Sequence, residues 1–367
     1  MRFSLFVSIV QSILFLGHWF FYRTLVRFFG VTHPEKLLAL RVALGLLSVS
    51  LVLTSFLAFH YSNLLVRCLY TVAASWLGIL YLLILASILC WIFYGLGKLF
   101  HISLDRKILI EILIGMALIA GLYGFVNAGA IRVTRISLKL PDLPDRWKGK
   151  TAVWVSDTHL GHVRNRGFAQ QVATMIQDLR PDMLFIGGDL YDGTAVDLDQ
   201  VIESFSRISA PYGTYFVTGN HEEFTDNTQY LQAVRRAGMR VLHNEIVELD
   251  GLQILGVDYR DTRSEVQFKM ILEKMGIDRR KPSILLKHTP LGLPVSRDQG
   301  ISVQISGHTH RGQVFLFRFI TSRVYKDYDY GLKRLGDLLV YTSSGAGTWG
   351  PPMRLDTIPE IVLLTFM

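Results

Sequence analysis

Cysteine is scarce in this 367-residue chain, and both cysteines lie in an apolar stretch of its first third. They are Cys68 and Cys90, so the remaining two thirds contain none. This absence excludes a disulfide framework and a thiolate metal site in the later part of the chain. A domain of that size can bury a sufficient core without cross-links, so the redox compartment stays open.

Acidic residues are also rare in the first third. Before Ile131 the chain has three carboxylates against nine Lys and Arg residues, whereas the remainder has 27 acidic and 29 basic residues. The net charge of +8 therefore arises mainly from the first third. Positive charge in that place is typical of segments that flank a membrane, whereas a nucleic-acid footprint requires a basic stripe on the folded domain. We expect a lipid bilayer as a partner and no nucleic acid.

Long apolar runs dominate the same region. A helix that crosses a bilayer needs roughly 20 apolar residues in succession, and four stretches have that length, at about 3–21, 37–59, 68–97 and 108–130. We therefore predict an all-α transmembrane domain of about four helices over residues 1–131. The first run resembles a signal peptide in its leading Arg2, but residues 17–21 form a poor cleavage site, which favours retention as an anchor.

The charges of the short loops allow the two sides of the membrane to be compared. One side carries Arg23, Arg27, Lys36, Lys98, Arg106 and Lys107, and the other carries Arg2, Arg67, Arg132, Arg135 and Lys139. Because cytoplasmic loops are enriched in Lys and Arg, six against five slightly favours a later domain outside the cytoplasm.

The pattern changes after a junction that we place at residues 132–150. Beyond it, β-branched runs alternate with amphipathic segments, which is typical of an α/β domain, here 151–367. Strands are predicted at 151–156, 183–186, 214–217, 252–255 and 283–286, and helices at 168–179, 198–208, 228–237 and 265–275. Later apolar runs at 314–319, 338–341 and 361–366 are predicted to be antiparallel strands that close a second sheet.

Five polar clusters directly follow predicted strands. They are Asp157 with His159, Asp189, Asn220 with His221, His288, and His308 with His310. Because ligands bind at the carboxyl ends of strands in α/β sheets, these clusters should meet at one place. Their carboxylates, amide oxygen and imidazoles form a mixed set that suits Mn, Fe or Zn. Seven ligands indicate two divalent ions, which can activate a water and neutralise a transferring phosphoryl group.

Each cluster taken alone has a simpler interpretation. Asp157 or Asp189 could cap a helix, Asn220 could form a turn, and a single histidine could be a satisfied surface or core group. Five clusters in order at strand ends are not explained in that way. The remaining histidines, His162 and His243, are interpreted as an ordinary loop residue and a structural residue.

The motifs Asp157-x-His159, Gly188-Asp189, Gly219-Asn220-His221, His288 and Gly307-His308-x-His310 resemble those of the calcineurin-like metallophosphoesterase superfamily. The resemblance covers residues 150–367, including the tail at 344–354, and is strongest to membrane-anchored bacterial members. It implies a four-layer α/β/β/α metallophosphoesterase sandwich of two mixed sheets. It also implies a multi-pass protein of the bacterial cytoplasmic membrane.

The resemblance implies a role for each site residue. Asp157, His159 and His310 would hold the first metal ion, Asn220, His288 and His308 the second, and Asp189 would bridge both. His221 would face the substrate, where it would stabilise phosphoryl oxygens or protonate the leaving oxygen. The nucleophile would be a metal-bound hydroxide, so no serine or cysteine is required.

Two positions depart from the family pattern. Glu222 stands where Asp is usual, and although one methylene longer it could still orient His221. Arg311 replaces the first glycine of the usual His-x-His-Gly-Gly-Gln run, where it could clamp a phosphate or pair with a surface carboxylate. Asp192, three residues after the bridging aspartate, could fix a histidine tautomer or form an ordinary turn with Gly193.

These patterns predict a membrane-anchored, metal-dependent phosphoric ester hydrolase. It would hydrolyse a phosphomonoester, phosphodiester or pyrophosphate bond in a phosphorylated, lipid-linked or envelope substrate. One alternative is a UDP-diacylglucosamine hydrolase of lipid A synthesis, which would require a cytoplasmic catalytic face. Another is a non-catalytic membrane scaffold with a phosphoesterase fold. Such scaffolds usually lose ligands, whereas all seven ligand positions and His221 are present here.

Overall fold

A computed structural model describes residues 2–223 and 226–367 of the chain. It divides into two compact units. The first consists of Met1–Val126 and Gly350–Met353, and the second of Asn127–Trp349 and Arg354–Met367. Long apolar helices form most of the first unit, whereas the second combines helices with two sheets.

Four long helices begin the chain. They are α1 (Arg2–Phe29), α2 (Pro34–His60), α3 (Leu64–Leu99) and α4 (Arg106–Asn127). Each is long and apolar enough to cross a bilayer. Local signals explain two of their starts, because Pro34 occupies the first turn of α2 and the side chain of Asn63 accepts the backbone N–H of Val66 at 3.0 Å. The first three helices extend beyond the predicted apolar stretches, and α4 ends before the predicted residue 130.

Two tryptophans of α3 donate hydrogen bonds to α1. Nε1 of Trp76 donates to Nε2 of His18 at 2.9 Å, and Nε1 of Trp91 donates to Oγ1 of Thr24 at 3.0 Å. Polar groups in an apolar setting need such partners, because each unsatisfied one costs several kcal/mol in lipid. His18 therefore has a structural role in packing these helices.

The first sheet of the second unit has six strands. Their order is β1 (Arg132–Leu138), β12 (Glu360–Phe366), β2 (Thr151–Val155), β3 (Met183–Ile186), β4 (Thr214–Phe216) and β5 (Arg240–Val241). All neighbours are parallel except β12 and β2. Every residue of β3 is buried, as expected for a central strand covered on both faces.

The second sheet also has six strands. Their order is β10 (Gly331–Leu335), β11 (Leu338–Thr342), β9 (Val303–Ser306), β8 (Ser283–Leu286), β7 (Leu252–Gly256) and β6 (Glu245–Leu249). The four central strands are parallel, and both edge strands pair antiparallel with their neighbours. The carboxyl ends of β8 and β9 therefore point the same way.

Three hydrophobic cores separate four layers. The central core lies between the sheets and includes Trp154, Ile305 and Tyr341. Helices α5 (Arg166–Leu179), α6 (Leu198–Ile202) and α7 (Thr228–Arg236) cover the first sheet, and α8 (Glu265–Met275) and α9 (Leu293–Asp298) cover the second. This arrangement confirms the predicted four-layer sandwich preceded by four apolar helices.

The region beyond His310 differs from the sequence prediction. The apolar run 314–319 predicts a strand, but the chain forms a turn and then α10 (Phe317–Tyr325), of whose described residues none is buried. A short apolar run does not distinguish helix from strand by periodicity. The run at 361–366 is a strand, but it lies in the first sheet rather than the second.

Residues 132–138, which the sequence assigns to a junction, form β1 at the edge of the first sheet. The strand pairs in register with β12, from Arg132 opposite Glu360 to Leu138 opposite Phe366. Only Leu138 is buried, so the segment lacks a strong apolar signal. Its partner strand, β12, is separated from it in the sequence by the rest of the domain.

The predicted helix at 198–208 is shorter in the structure, because α6 ends at Ile202 and a 3-10 turn at Glu203–Arg207 follows it.

Candidate metal centre

Loops at the carboxyl ends of five strands bring the predicted site residues together. β2 leads to Asp157 and His159, β3 to Asp189, β4 to Asn220 and His221, β8 to His288, and β9 to His308 and His310. All are buried except Asn220, His308 and His310, which are partly buried. The ligand atoms of these residues other than Asn220 form three overlapping triplets, within each of which all atoms lie within 4.8 Å of one another.

The turns that carry these side chains have an unusual backbone. Asp157, His159, Asp189, His308 and His310 have φ angles between 47° and 70°, a region that residues other than glycine adopt uncommonly. Such strain costs about 1–3 kcal/mol per residue and persists where surrounding contacts hold it, typically at functional sites. The fold therefore holds these five side chains in place against a local energetic cost.

Two glycines allow the loops to approach each other closely. A Cβ on Gly219 would lie 2.2 Å from Oδ1 of Asp189, and a Cβ on Gly307 would lie 2.3 Å from Oδ2 of Asp157. Both distances are far below van der Waals contact, so a side chain at either position would displace the carboxylate beside it.

One group of potential ligands consists of Asp157, His159 and His310. The Nε2 atoms of His159 and His310 are 3.0 Å apart, and Oδ1 of Asp157 lies 3.6 Å from Nε2 of His310. The Asp157 carboxylate accepts hydrogen bonds from the hydroxyl of Ser156 at 2.5 Å and from the backbone N–H of His308 at 3.0 Å. These bonds fix the carboxylate beside the two imidazoles.

A second group consists of Asn220, His288 and His308. Nε2 of His288 lies 3.3 Å from Oδ1 of Asn220 and 3.1 Å from Nδ1 of His308. Nδ1 of His288 is 2.7 Å from the carbonyl oxygen of Gly187. Because a carbonyl only accepts, Nδ1 carries a proton and Nε2 is the atom available to a metal, as is common for metal-binding histidines.

Asp189 lies between the two groups. Its Oδ2 is 3.3 Å from Nε2 of His288 in the second group and 3.9 Å from Nε2 of His159 in the first. Its Oδ1 accepts the backbone N–H of His221 at 2.8 Å. One carboxylate oxygen therefore approaches both groups.

The chemistry of both groups fits divalent cations. In each group two imidazole nitrogens lie close together beside an oxygen donor. A proton on one nitrogen could form a hydrogen bond with only one of the two neighbouring atoms. Among the described residues, Nδ1 of His159 is buried without a hydrogen-bond partner, which is unusual for a buried polar atom. A cation at each group would be held by the mixed nitrogen and oxygen donors that first-row metal ions accept.

Burial keeps most of the imidazoles neutral. It lowers the pKa of His308 to about 4 and holds the pKa values of His159 and His310 well below the ordinary value. Burial also acts to lower the pKa of His288, but the adjacent Asp189 carboxylate outweighs it and raises this pKa to about 9. A metal binds the neutral imidazole, so a cation at His288 would displace its proton.

His221 lies beside the first group. Its ring is edge-on to that of His159 with centroids 4.5 Å apart, and its Nδ1 lies 2.9 Å from the carbonyl oxygen of Asp192. The carbonyl requires a proton on Nδ1, so Nε2 is the atom through which His221 would exchange a proton. A ligand atom of His221 also lies within 4.8 Å of His159 and Asp189, so proximity alone allows either a ligand or an acid.

Glu222 joins backbone groups of two loops. Its fully buried carboxylate accepts three backbone N–H groups, from Gly219 at 2.8 Å, Asp189 at 2.9 Å and Tyr191 at 3.0 Å. Burial raises the pKa of Glu222 to about 7, and the bonds to the backbone oppose this rise. These bonds join the loops after β3 and β4 and so position Asp189.

Replacing Glu222 by Gln should destabilise the domain by about 2 kcal/mol, because the amide nitrogen would face a backbone donor instead of accepting from it. Thermal unfolding of the full chain in detergent measures the change. Glu273→Gln is the matched control. Glu273 is exposed, and its surface pair with Lys269 at 3.8 Å contributes little to stability. Equal unfolding temperatures for the two variants would contradict the proposed joining of the loops.

Asp192 contacts both His159 and His221. Its Oδ1 lies 3.8 Å from Nδ1 of His159, and its carbonyl oxygen lies 2.9 Å from Nδ1 of His221.

Arg311 makes a contact that neither sequence-based alternative includes. Its guanidinium lies over the ring of Tyr330, 4.5 Å from the centroid. Nδ1 of His243 contacts the carboxylate of Asp258, a contact compatible with a structural role.

Sequence reasoning assigned no role to Arg354, which is fully buried. Its guanidinium donates to the backbone carbonyls of Ser344 at 2.7 Å and of Gly347 at 2.7 and 3.0 Å. It also lies 3.3 Å from Nδ1 of His310. The only signal in the sequence is an arginine at the end of a glycine-rich tail.

The loop that Arg354 holds lies against the first ligand turn. The backbone N–H of Ala346 donates to the carbonyl of Ser156 at 3.0 Å, and that of Gly347 donates to the carbonyl of Asp157 at 2.8 Å. Arg354 therefore supports Asp157 through this loop while contacting His310 directly.

Comparisons with known proteins agree with this site. Residues 151–312 match the calcineurin-like phosphoesterase family. A metallophosphoesterase of Aquifex aeolicus is 32% identical over 68% of this chain and 97% of its own length. One from Campylobacter jejuni is 30% identical over 66% of each chain. A transmembrane protein with a metallophosphoesterase domain from Danio rerio is 30% identical over 66% of this chain and 59% of its own length.

The fold and these relatives define a metal-dependent phosphoester hydrolase. The chain belongs to the calcineurin-like metallophosphoesterase family. This family uses a dinuclear divalent metal site, for which the chain has candidate ligand groups. The four apolar helices and the transmembrane relative support a membrane protein.

Proposed function

We propose that this chain is a membrane-anchored phosphoesterase that cleaves a phosphomonoester, phosphodiester or pyrophosphate bond in a lipid-linked or envelope substrate. The observation that carries the proposal is the position of Asp189. Its Oδ2 lies 3.3 Å from His288 and 3.9 Å from His159, between the two ligand groups. A carboxylate shared in this way suits two ions that act together on a phosphoryl group.

Each residue has a defined role in this proposal. Asp157, His159 and His310 would hold one divalent ion, Asn220, His288 and His308 would hold the other, and Asp189 would be shared between them. When bound, the ions acidify a water and neutralise the charge that develops on the phosphoryl oxygens. Nε2 of His221 stabilises those oxygens or donates the proton that the leaving oxygen requires.

The donor types support Mn, Fe or Zn. Imidazole nitrogens suit Zn and Fe, and the carboxylate and amide oxygens suit Mn. The second unit has no thiolate ligand, because both cysteines lie before residue 91. Manganese is the first ion to test, since it accepts both oxygen and nitrogen donors.

Membrane attachment supports a lipid-linked or envelope substrate. The short-loop charges support a catalytic unit outside the cytoplasm, and the resemblance to bacterial membrane-anchored members supports a bacterial cytoplasmic membrane. The alternative of a UDP-diacylglucosamine hydrolase needs a cytoplasmic face instead. A reporter enzyme that is active only outside the cytoplasm, fused after Met367, distinguishes the two, because a signal there excludes that alternative.

The activity itself is tested with the full chain in detergent and bis-p-nitrophenyl phosphate as the chromogenic ester. Turnover should disappear when a chelator removes the metal and return when Mn is added, because the water is activated only beside bound cations. A catalyst that keeps its full rate in the chelator would contradict a metal-dependent mechanism. The alternative of a non-catalytic scaffold instead predicts no turnover with Mn, Fe or Zn.

A further inference from the structure

The segment that follows His310 exposes an apolar face. Leu316, Phe319, Ile320 and Val324 each expose between 40% and 57% of their surface. Their spacings of three and four residues place them along one side of α10 and the residue before it. We call these four residues the α10 face. Single exposed hydrophobic residues are ordinary, whereas a contiguous set indicates an interaction surface.

Basic side chains are concentrated along the segment that carries the α10 face, and Asp327 and Asp329 follow it. Residues 311–326 contain four basic side chains and no acidic one. Arg318 pairs with Asp356 at 2.5 Å, whereas Arg323 and Lys326 are exposed. A helix with an apolar side and basic residues on its flank is typical of segments that lie in the interface of an anionic bilayer. Charge complementarity therefore favours a lipid surface as the occupant.

The same segment reaches the metal centre. Tyr325, the last residue of α10, has its ring edge-on to that of His308, with centroids 6.1 Å apart. Before α10, the side chain of Gln313 accepts the backbone N–H of Trp349 at 2.8 Å. The exposed indole of Trp349 lies edge-on to His221, 6.1 Å between centroids. Aromatic side chains linked to both ends of the segment thus border the site.

We propose that the α10 face inserts into the headgroup and acyl boundary of an anionic bilayer, so that a lipid-linked phosphoester enters the metal centre from the membrane surface. The entry of substrate rests on the proposed function, whereas the insertion does not. This surface would select phosphoesters carried by lipids over those dissolved in water.

Insertion is tested with the full chain in nanodiscs of phosphatidylglycerol and brominated phosphatidylcholine. Ile320→Cys carries an environment-sensitive fluorophore in a Cys68→Ser background, since Cys90 is buried. Val266→Cys is the matched control, because Val266 is an exposed apolar residue of α8. The label at position 320 should lose most of its fluorescence to the brominated lipid, and the label at 266 should keep it. Equal quenching at both positions would overturn the proposal.

Substrate entry is tested by the ratio of two rates. Phe319→Ser with Ile320→Ser should lower turnover of phosphatidic acid in vesicles, relative to that of bis-p-nitrophenyl phosphate, by about tenfold or more, because two large apolar side chains no longer enter the lipid. Val266→Ser with Met270→Ser should leave the ratio unchanged. An unchanged ratio in the α10 variant would refute entry from the membrane. If the wild type hydrolyses neither ester, the proposed function fails, and the quenching result still decides the insertion.

Discussion

Asp189→Ala should lower Mn-dependent hydrolysis of bis-p-nitrophenyl phosphate by at least about 10³-fold. Two cations contribute several kcal/mol to stabilising the transition state, and each 1.36 kcal/mol corresponds to a tenfold change in rate. The Asp189 carboxylate lies within 4 Å of an imidazole nitrogen in each ligand group. Its loss should affect the positions of both ions.

The measurement is kcat/KM together with the metal content of the purified protein. Asp337→Ala is the matched control, because Asp337 is exposed in the turn between β10 and β11. The Asp189→Ala protein should contain fewer than the two ions expected for the wild type. Undiminished turnover in Asp189→Ala would be incompatible with a shared carboxylate.

His221→Ala should lower kcat by about 10²- to 10⁴-fold, the range that a general acid contributes. The loss should occur at nearly unchanged metal content, because in the proposed scheme His221 faces the substrate and binds no ion. The leaving group provides a further test. Esters with a good leaving group need less protonation, so p-nitrophenyl esters should be affected less than alkyl esters.

His243→Ala is the matched control, since His243 is an exposed histidine of the same domain that pairs with Asp258. It should keep wild-type kcat. If His221→Ala instead loses a metal ion, then His221 is a ligand, as its proximity to His159 and Asp189 also allows. Metal analysis therefore distinguishes the two roles of this residue.

Much of the fold follows from local sequence patterns. The bounds of β3, β8 and α8 are identical in the sequence prediction and in the structure. β3 is a continuous apolar run, β8 has three apolar residues after Ser283, and both are fully buried in their sheets. Helix α8 begins after Ser264, whose side chain accepts the backbone N–H of Gln267. Signals of this kind are local, so a sequence reveals them directly.

The elements that sequence reasoning missed depend on distant partners. β1 is an edge strand with a single fully buried residue, and it pairs with β12 along its whole length. The apolar run at the start of the α10 segment predicts a buried strand. The structure instead has a helix with no buried residue among those described. Pairing and exposure of this kind are decided by tertiary structure rather than by local propensity.

The candidate site shows the same division. All eight predicted residues meet at one edge, because strand ends in an α/β sheet converge there. The supporting contacts of Glu222 and Arg354 were not predictable. Glu222 accepts backbone N–H groups from two loops, and Arg354 donates to carbonyls of a third, so neither has a distinctive spacing.

The pairing of β12 between β1 and β2 has a consequence for biosynthesis. β1 directly follows the last apolar helix, yet its described sheet neighbour is the last strand of the domain. A ribosome that adds about 5–20 residues per second must therefore synthesise the whole catalytic unit before this sheet can close. Helix insertion can precede that moment by many seconds, during which β1 and β2 present unpaired edges. The edges of β1 and β2 that pair with β12 therefore stay open to aggregation until Glu360–Phe366 has been synthesised.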